Sequence, residues 1–312
     1  MDLQSIDGIG PSTEESLNEI GVNTIEELSN ASVEDISSCG MSESRARDVK
    51  QKAKENTITI QSIDDVEDEY KSNKTITTGI DKLDEVIEGG WEQESVVSIY
   101  GDSSTGKTQL CMQALVEGVR QTELDAIYIE TEKNRFRPER IENICKGYDD
   151  VDYEEVKSKI HRVKAYDLEK QLSSYGKVSN TFPEVSIVVV DSLVAQFRLS
   201  DEFTDRSDYG KRGVEMSRHL KGMERMAEQL SCPVLFTNQI YEVPDSNGPY
   251  QSIQVRQYGG KKIQYVAQYS VFMEEGRGDK FKCNVEAHPS SGDSVIEIEI
   301  KEDGIDCIDS DL

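Results

Sequence analysis

The stretch "VVSIYGDSSTGKTQLCMQALVEGV", residues 96–119, constrains this chain more than any other. A β-branched apolar run stops at Gly101-x-x-x-x-Gly106-Lys107-Thr108, and helical periodicity begins immediately after it. Glycines let such a loop turn so that its N–H groups, and those of the helix that follows, converge on one point. That cluster of donors beside a lysine is a receptor for phosphate oxygens, and its strand–loop–helix context requires an α/β fold that binds a nucleoside triphosphate. The nucleotide-binding residues read from it are Gly101, Asp102, Ser103, Ser104, Thr105, Gly106, Lys107, Thr108 and Gln109. In this pattern Lys107 places a charge between the β- and γ-phosphates of ATP, and the Thr108 hydroxyl holds Mg²⁺.

The rest of the chain fits around that unit. From Thr75 onward the apolar runs "VVSIY", "AIYIE", "VSIVVVD" and "CPVLFTN" alternate with helical stretches, the pattern of a buried parallel sheet. The closing "YSVFMEEG", "KFKCNVEA" and "VIEIEIKEDGIDCI" read as hairpins. Residues 1–55 carry apolar positions three or four apart in "PSTEESLNEIG", "TIEELSN", "SVEDISS" and "SESRARDVKQKAKEN", with Gly21 and Gly40 as helix stops. They predict a small all-α domain. Residues 56–74 begin with a β-like alternation and become charged, which predicts a linker containing one short strand; the core is then 75–312.

Three further segments bear on the nucleotide. "VSIVVVDS" runs four apolar residues into Asp191 at a strand's carboxyl end, where its carboxylate can hold Mg²⁺ directly or through water. "YIETEKNRFRPER" offers Glu130 and Glu132 as carboxylates to orient water, and the residues alone do not choose between them. A strand ending in "FTNQ" places Asn238 and Gln239 where a γ-phosphate is sensed.

Charge qualifies what the nucleotide is used for. With 61 acidic against 35 basic residues and a net charge of −26, the chain should avoid nucleic acid by ordinary electrostatics. An acidic surface also suits a cytoplasm at molar salt, where screening shrinks to roughly 3 Å. Two segments break the acidic trend. "FRLSDEFTDRSDYGKR" gathers four basic residues, and "YQSIQVRQYGGKK" has two tyrosines and no acid. Aromatic rings stack on any base for about 1–3 kcal/mol each, while arginine and lysine follow the phosphates. Six cysteines without a CxxC pair, and three histidines, indicate neither a zinc site nor a disulfide framework. No apolar run approaches about 18 residues and no charged-then-apolar leader opens the chain, so the reading is soluble and cytoplasmic, with no membrane partner.

Taken together, "LQSIDGIGPSTEESLNEIGVNTIEEL", "ITTGIDKLDEVIEGG", "GDSSTGKTQL", "YIETEKNRFRPERI", "DSLVAQFR", "SRHL", "LFTNQI" and "YGGKKI" resemble the archaeal RadA recombinases, relatives of bacterial RecA and the eukaryotic strand-exchange proteins. The resemblance spans nearly the whole chain. It implies a RecA-type P-loop core with a mostly parallel sheet behind a helix-hairpin-helix domain. It also implies a DNA-dependent ATPase that forms homo-oligomeric filaments on single-stranded DNA and pairs it with duplex DNA. Carried over, Lys107 and Thr108 bind phosphate and Mg²⁺, Glu132 activates water, Arg137 lies against the adenine, and Gln239 links the γ-phosphate to the second DNA loop. Arg198, Arg206 and Arg212 fall in the first DNA loop. The second, residues 240–260, holds Tyr250 as a wedge between bases, Arg256 on a phosphate, and Gly259 and Gly260 where backbone approaches DNA. In "DGIGPS", Gly8 and Gly10 make the hairpin and Pro11 opens a helix whose free amides meet a DNA phosphate. Glu14 and Glu15 sit in that first turn and repel DNA, so a structural or protein-docking role stands beside the DNA-binding one.

The chain also departs from the pattern. Ser103 and Ser104 replace the usual Phe and Gly of the loop, and "EKNR" holds one residue more than the family's turn. Where the family's docking strand has a Phe-x-x-Ala-like motif, this chain has Ile60 and Ile63, and Ile63 is larger than Ala. Tyr265 replaces an interface histidine. Glu286 and Pro289 lie in the segment that caps a neighbour's nucleotide, and the Glu286 carboxylate raises a K⁺ ion at the γ-phosphate as a further cofactor. The functions these features imply are a strand-exchange recombinase, or a paralogue that binds ATP and DNA, or the main recombinase, as a regulator. A KaiC-like ATPase unrelated to DNA is disfavoured by the N-terminal hairpin unit.

Overall fold

The computed structural model describes residues 3–72, 74–200, 209–244, 253–278, 280–289, 292 and 294–308. The chain divides into two compact units, Met1–Ser72 and Asn73–Leu312.

The first unit is helical: α1 (Pro11–Glu19), α2 (Ile25–Asn30), α3 (Val33–Ser38), α4 (Glu43–Asn56) and α5 (Ile63–Ser72). Local chemistry sets the boundaries. Pro11 opens α1, and Thr24 and Glu27 form a reciprocal capping box at α2. Gly21 and Gly40 end helices at φ values of +82° and +84°, in the left-handed region that favours glycine. Leu17, Leu28, Ile36 and Val49 meet in a core of their own. Residues 57–62, where a strand was expected, form none in this chain, and Ile63 instead begins α5. An isolated strand has no ladder partner here, whereas Ser62 and Asp65 supply a helix start: the Asp65 amide donates to Ser62 Oγ at 3.1 Å, and the Ser62 amide donates to Asp65 Oδ2 at 3.0 Å.

The second unit runs β1 (Thr75–Ile76), α6 (Asp81–Val86), β2 (Trp91–Glu92), β3 (Val96–Gly101), α7 (Lys107–Thr122), β4 (Ala126–Glu130), α8 (Pro138–Cys145), α9 (Tyr153–Lys159), β5 (Ile160–Lys164), α10 (Leu168–Thr181) and β6 (Ile187–Asp191). It continues through α11 (Ala195–Leu199), α12 (Tyr209–Leu230), β7 (Val234–Pro244), β8 (Ile253–Gln257), α13 (Lys261–Val266), β9 (Tyr269–Glu275), β10 (Lys280–Ala287), β11 (Ser294–Lys301) and β12 (Gly304–Cys307). The main sheet has the order β12-β11-β10-β9-β3-β7-β6-β4-β5, parallel from β9 to β5 and antiparallel from β9 to β12. The α/β class with a large, mostly parallel sheet therefore holds. Along that order β5 is the strand the sequence reading lacked, because "IHRVK" carries two cations and only half-buried apolar residues at the sheet edge.

Each inner strand is buried on both faces, which is why it reads as a continuous apolar run. Tyr128, Val189 and Leu235 face the α7 side, while Ile127, Ile129, Val188, Val190 and Phe236 face α10 and α12. Each such side chain contributes about 1.5–3 kcal/mol on burial. β7 is longer than "CPVLFTN" suggested. Its first half pairs with β3, and its second half leaves the main sheet to pair with β8, Ile240 opposite Gln257 through Pro244 opposite Ile253. Asn238 and Gln239 therefore stand in mid-strand, where the chain passes from one sheet to the other. Among the described residues no helix is long and apolar enough to cross a membrane.

Candidate functional site

Strand register gathers the site. Gly101 of β3 stands opposite Gln239 of β7, and Glu130 of β4 stands opposite Asp191 of β6, so the carboxyl ends of β3, β4 and β6 and the middle of β7 open on one edge. That edge is where ligands bind in parallel α/β sheets. A cavity of about 600 Å³ opens there, lined among others by Ser103–Gln109, Glu132, Arg137, Asp191 and Gln239.

The loop from Gly101 to Gly106 takes left-handed conformations at Ser104 (φ +65°) and Gly106 (φ +92°), which turn successive amides inward. The φ of Gly106 favours glycine, and a Cβ there would also lie 2.6 Å from Ile300 Cδ1 of β11, the movable end of a side chain. Gly101 and Asp102 stand behind the cavity rather than in it. Their carbonyls, with Thr105 Oγ1 at 3.3 Å, hold the Lys107 ammonium across the loop. Burial pushes that ammonium's pKa down, opposed by the charges of Asp191 and Asp102. α7 then starts at Lys107, its first-turn amides pointing at the cavity.

Asp191 is the hub. Its Oδ2 accepts from Thr108 Oγ1 at 2.8 Å and from the Tyr128 hydroxyl at 2.6 Å, and its Oδ1 accepts from Thr237 Oγ1. Oxygens of Thr108 and Asp191 are hard donors adjacent to a phosphate cradle, a set that suits Mg²⁺ on a triphosphate. Gln109 Oε1, buried on the flank of the loop, has no hydrogen-bond partner among the described residues. The residues present thus fit a metal–nucleotide pair.

The two glutamates left open by the sequence occupy different places. Glu130 is fully buried, and Oε1 accepts the amides of Arg135 and Phe136 at 3.0 and 3.1 Å while Oε2 accepts the Tyr166 hydroxyl. Burial pushes its pKa up, but the bonds from Tyr166, Phe136 and Arg135 and the charge of Arg162 more than offset this and hold it below the usual value. Glu132 lines the cavity, where Arg135 pairs with it at 2.7 Å and Ser192 Oγ lies 3.3 Å away. In the turn between them Asn134 takes φ +64°. Arg137 precedes α8, makes no capping bond with its side chain and is exposed at the rim of the cavity.

Arg198, Arg212, Arg256, Gly259 and Gly260 do not line this cavity. Arg198 is exposed in α11. Arg212 is engaged inside the protein, donating Nη2 to the Phe197 carbonyl at 2.9 Å, with its guanidinium 5.4 Å from the Tyr258 ring centre. Arg256 is exposed on β8, and Gly259 and Gly260 take φ values of +93° and +53° in the turn that follows. Arg206 and Tyr250 lie outside the described residues. In the helical unit Gly8 has φ +105° and its carbonyl accepts from Arg45 at 2.9 Å. Gly10 has an ordinary φ of −101° with open space at its Cβ, so only Gly8 needs to be glycine. Ile60 and Tyr265 are 94% and 84% exposed. The Tyr100 hydroxyl donates to Glu286.

Several site residues escaped the sequence reading. Tyr128 and Thr237 look like ordinary strand residues, and Ile300 comes from a hairpin that Arg140 pins by donating to the carbonyls of Lys301 and Gly304 at 2.7 and 3.2 Å. Thr131 and Ser192 latch β4 to β6, with the Ser192 amide donating to Thr131 Oγ1 at 2.7 Å and Thr131 Oγ1 donating to the Ser192 carbonyl at 2.7 Å. Only "DS" after the apolar run was a signal for any of these.

Comparison with known proteins agrees with this geometry. The Rad51 family model matches residues 70–308, and the SAM-like helix-hairpin-helix tandem model matches residues 1–55. The chain is 30% identical to the DNA repair and recombination protein RadA of Aeropyrum pernix over 310 residues, 95% of this chain and 94% of the relative. It is 29% identical to the DNA repair and recombination protein RadA of Methanococcus maripaludis over 323 residues, 97% of this chain and 98% of the relative.

Proposed function

The chain belongs to the Rad51 family, as a divergent RadA-like member with a helix-hairpin-helix domain ahead of its core, and from that premise we propose that it is an ATP-dependent DNA recombinase. It coats single-stranded DNA as a homo-oligomer and pairs it with a homologous duplex; ATP binding stabilises the filament and hydrolysis releases it. The observation that carries this reading is one cavity lined by Lys107, Thr108, Glu132, Asp191 and Gln239. Bound Mg²⁺ supplies charge neutralisation of the β- and γ-oxygens. Lys107 and the loop amides bind and orient the phosphates, and Thr108 and Asp191 hold the ion. Glu132 orients the attacking water and takes its proton. Gln239 reads the γ-phosphate, and its carbonyl accepts the Tyr258 amide at 2.8 Å, joining the nucleotide to the β7–β8 hairpin.

A second reading is favoured by Ile60, Ile63 and Tyr265: a paralogue that binds ATP and DNA, or a sister recombinase, as a regulator without strand exchange. One assay set separates them. ATP turnover is measured with and without single-stranded DNA in high KCl, together with joint-molecule formation. Stimulated turnover with joint molecules supports the recombinase, and stimulation without them supports the regulator. Absence of both DNA binding and stimulation overturns both.

A further inference from the structure

Glu132 is occupied in the place where water activation needs it open. Arg135 donates Nη2 to Glu132 Oε2 at 2.7 Å and Nε to the same oxygen at 3.0 Å, so both lone pairs of Oε2 are taken. The other oxygen, Oε1, accepts the Ser192 hydroxyl at 3.3 Å. The turn that carries Arg135 is held at both ends. The buried Glu130 accepts the amides of Arg135 and Phe136 on Oε1, and the Phe136 ring packs on Tyr128, centres 5.0 Å apart. At the other end Thr131 Oγ1 donates to the Ser192 carbonyl. The backbone of Arg135 is therefore fixed beside the cavity, while its side chain, 53% exposed, keeps room to turn.

Arg135 lines the nucleotide cavity together with Lys107 and Asp191, and the three charges act on one another. The Arg135 charge adds to the burial that pushes the Lys107 pKa down. The hydrogen bond to Glu132, and after it the charges of Glu132 and Asp191, hold the Arg135 pKa above its usual value against burial. Two anions compete for this guanidinium once a triphosphate is bound in the cavity it lines: Glu132 and the γ-phosphate. The phosphate carries more charge than a carboxylate, and its oxygens fit the two-pronged fork. We propose that Arg135 is a catalytic residue supplied by the chain itself, one that covers Glu132 before nucleotide binds and moves its fork to the γ-phosphate of bound ATP, opening Glu132 to water. The proposal rests on the ATPase reading above and deepens it, because it names the group that gates the general base. In turnover the water oxygen bonds to the γ-phosphorus as the bond to the β–γ bridging oxygen breaks. The bridging oxygen leaves on ADP with the electron pair, and the water's proton passes to Glu132. Arg135, beside Lys107, meets the negative charge spread over the γ-oxygens in that step.

The test is calorimetric titration of the full chain, of Arg135→Ala and of Arg135→Lys with ADP and with adenylyl imidodiphosphate, a triphosphate analogue that resists hydrolysis, in Mg²⁺ and high KCl. ATP turnover on single-stranded DNA is measured beside it. Arg135→Ala is expected to lose about 10- to 150-fold on the analogue, less than about 3-fold on ADP, and about 10³- to 10⁵-fold in turnover. ADP binding near wild type also shows that the variant is folded. Arg135→Lys keeps the charge without the fork and should fall between. Glu132→Gln removes the competing charge and should tighten analogue binding, a gain that vanishes when Arg135→Ala is added. Equal losses on both ligands, no loss on the analogue, turnover unchanged or raised in Arg135→Ala, or a gain that persists in the double variant each overturn the proposal and leave the recombinase reading standing. Wild-type protein that binds neither ligand overturns the ATP-dependent reading itself.

Discussion

Thr108 Oγ1, in the first turn of α7, donates to Oδ2 of Asp191 at the end of β6 across 2.8 Å, although 83 residues separate them. Tyr128 and Thr237 add two more hydroxyls to the same carboxylate, so three elements aim Asp191 at the mouth of the phosphate loop. Thr108 and Asp191 together would hold a metal ion beside the phosphate loop, and the Thr108 hydroxyl would be one of its donors.

Thr108→Val keeps the shape of that side chain and removes the hydroxyl. ATP affinity in Mg²⁺ is expected to fall about 10- to 150-fold, from a bond to charge worth about 1.5–3 kcal/mol. In EDTA the variant and wild type should differ by less than about 3-fold. Calorimetric titration with and without Mg²⁺ checks this, and an equal loss in both buffers refutes a metal role for Thr108.

Glu130 and Glu132 should separate cleanly. Glu132→Gln is expected to lower ATP turnover about 10²- to 10⁴-fold with Tm within a few degrees of wild type. Glu130→Gln should instead lower Tm, because an amide nitrogen replaces one of the oxygens that accept from Arg135, Phe136 and Tyr166. Differential scanning fluorimetry beside a phosphate-release assay gives both numbers. The opposite pattern would make Glu130 the general base.

His219 gives the fold a pH dependence. It is fully buried on α12, with Nδ1 3.2 Å from the Tyr175 hydroxyl and the Phe197 ring at 5.1 Å. Burial pushes its pKa down to about 4, against the pull of Glu215 and with help from Arg218. The unfolded chain binds a proton near pH 6.5 that the folded one refuses. This contribution is therefore complete above pH 6.5, is lost as pH falls toward 4, and amounts to about 3 kcal/mol. The stability difference between wild type and His219→Gln, from urea melts at pH 7.5 and pH 4.5, should shrink toward the acid end; a pH-independent difference refutes it.

Ile60 is 94% exposed and Ile63 78%, so neither supports the fold of a single chain. Ile60→Asp is expected to leave Tm within about 1 °C at dilute concentration, since surface changes stay within about 0.5 kcal/mol. It should shift light-scattering mass in ATP toward the monomer. An unchanged mass distribution would remove this segment from assembly.

The sequence by itself determined the strand–loop–helix unit, the doubly buried strands and the helical front domain. Each of these follows from spacing along a few consecutive residues, as at Gly101–Thr108, "VSIVVVD" and Gly21. Tertiary structure alone decided everything that depended on which distant residues share a strand end. Glu130 and Glu132 are two apart and chemically alike, and only the turn through Arg135 and Phe136 buries one and opens the other to the cavity. Ile63 reads as part of a strand until Ser62 and Asp65 start a helix there, and β7 reads as ending at Gln239 until β8 offers it a partner. Ile300 and Tyr128 carry no local mark, because a ring or a methyl acquires its role from its neighbours in space. Short-range steric and hydrogen-bonding rules are written in sequence order, whereas a cavity is the meeting of residues whose separation along the chain carries no such information.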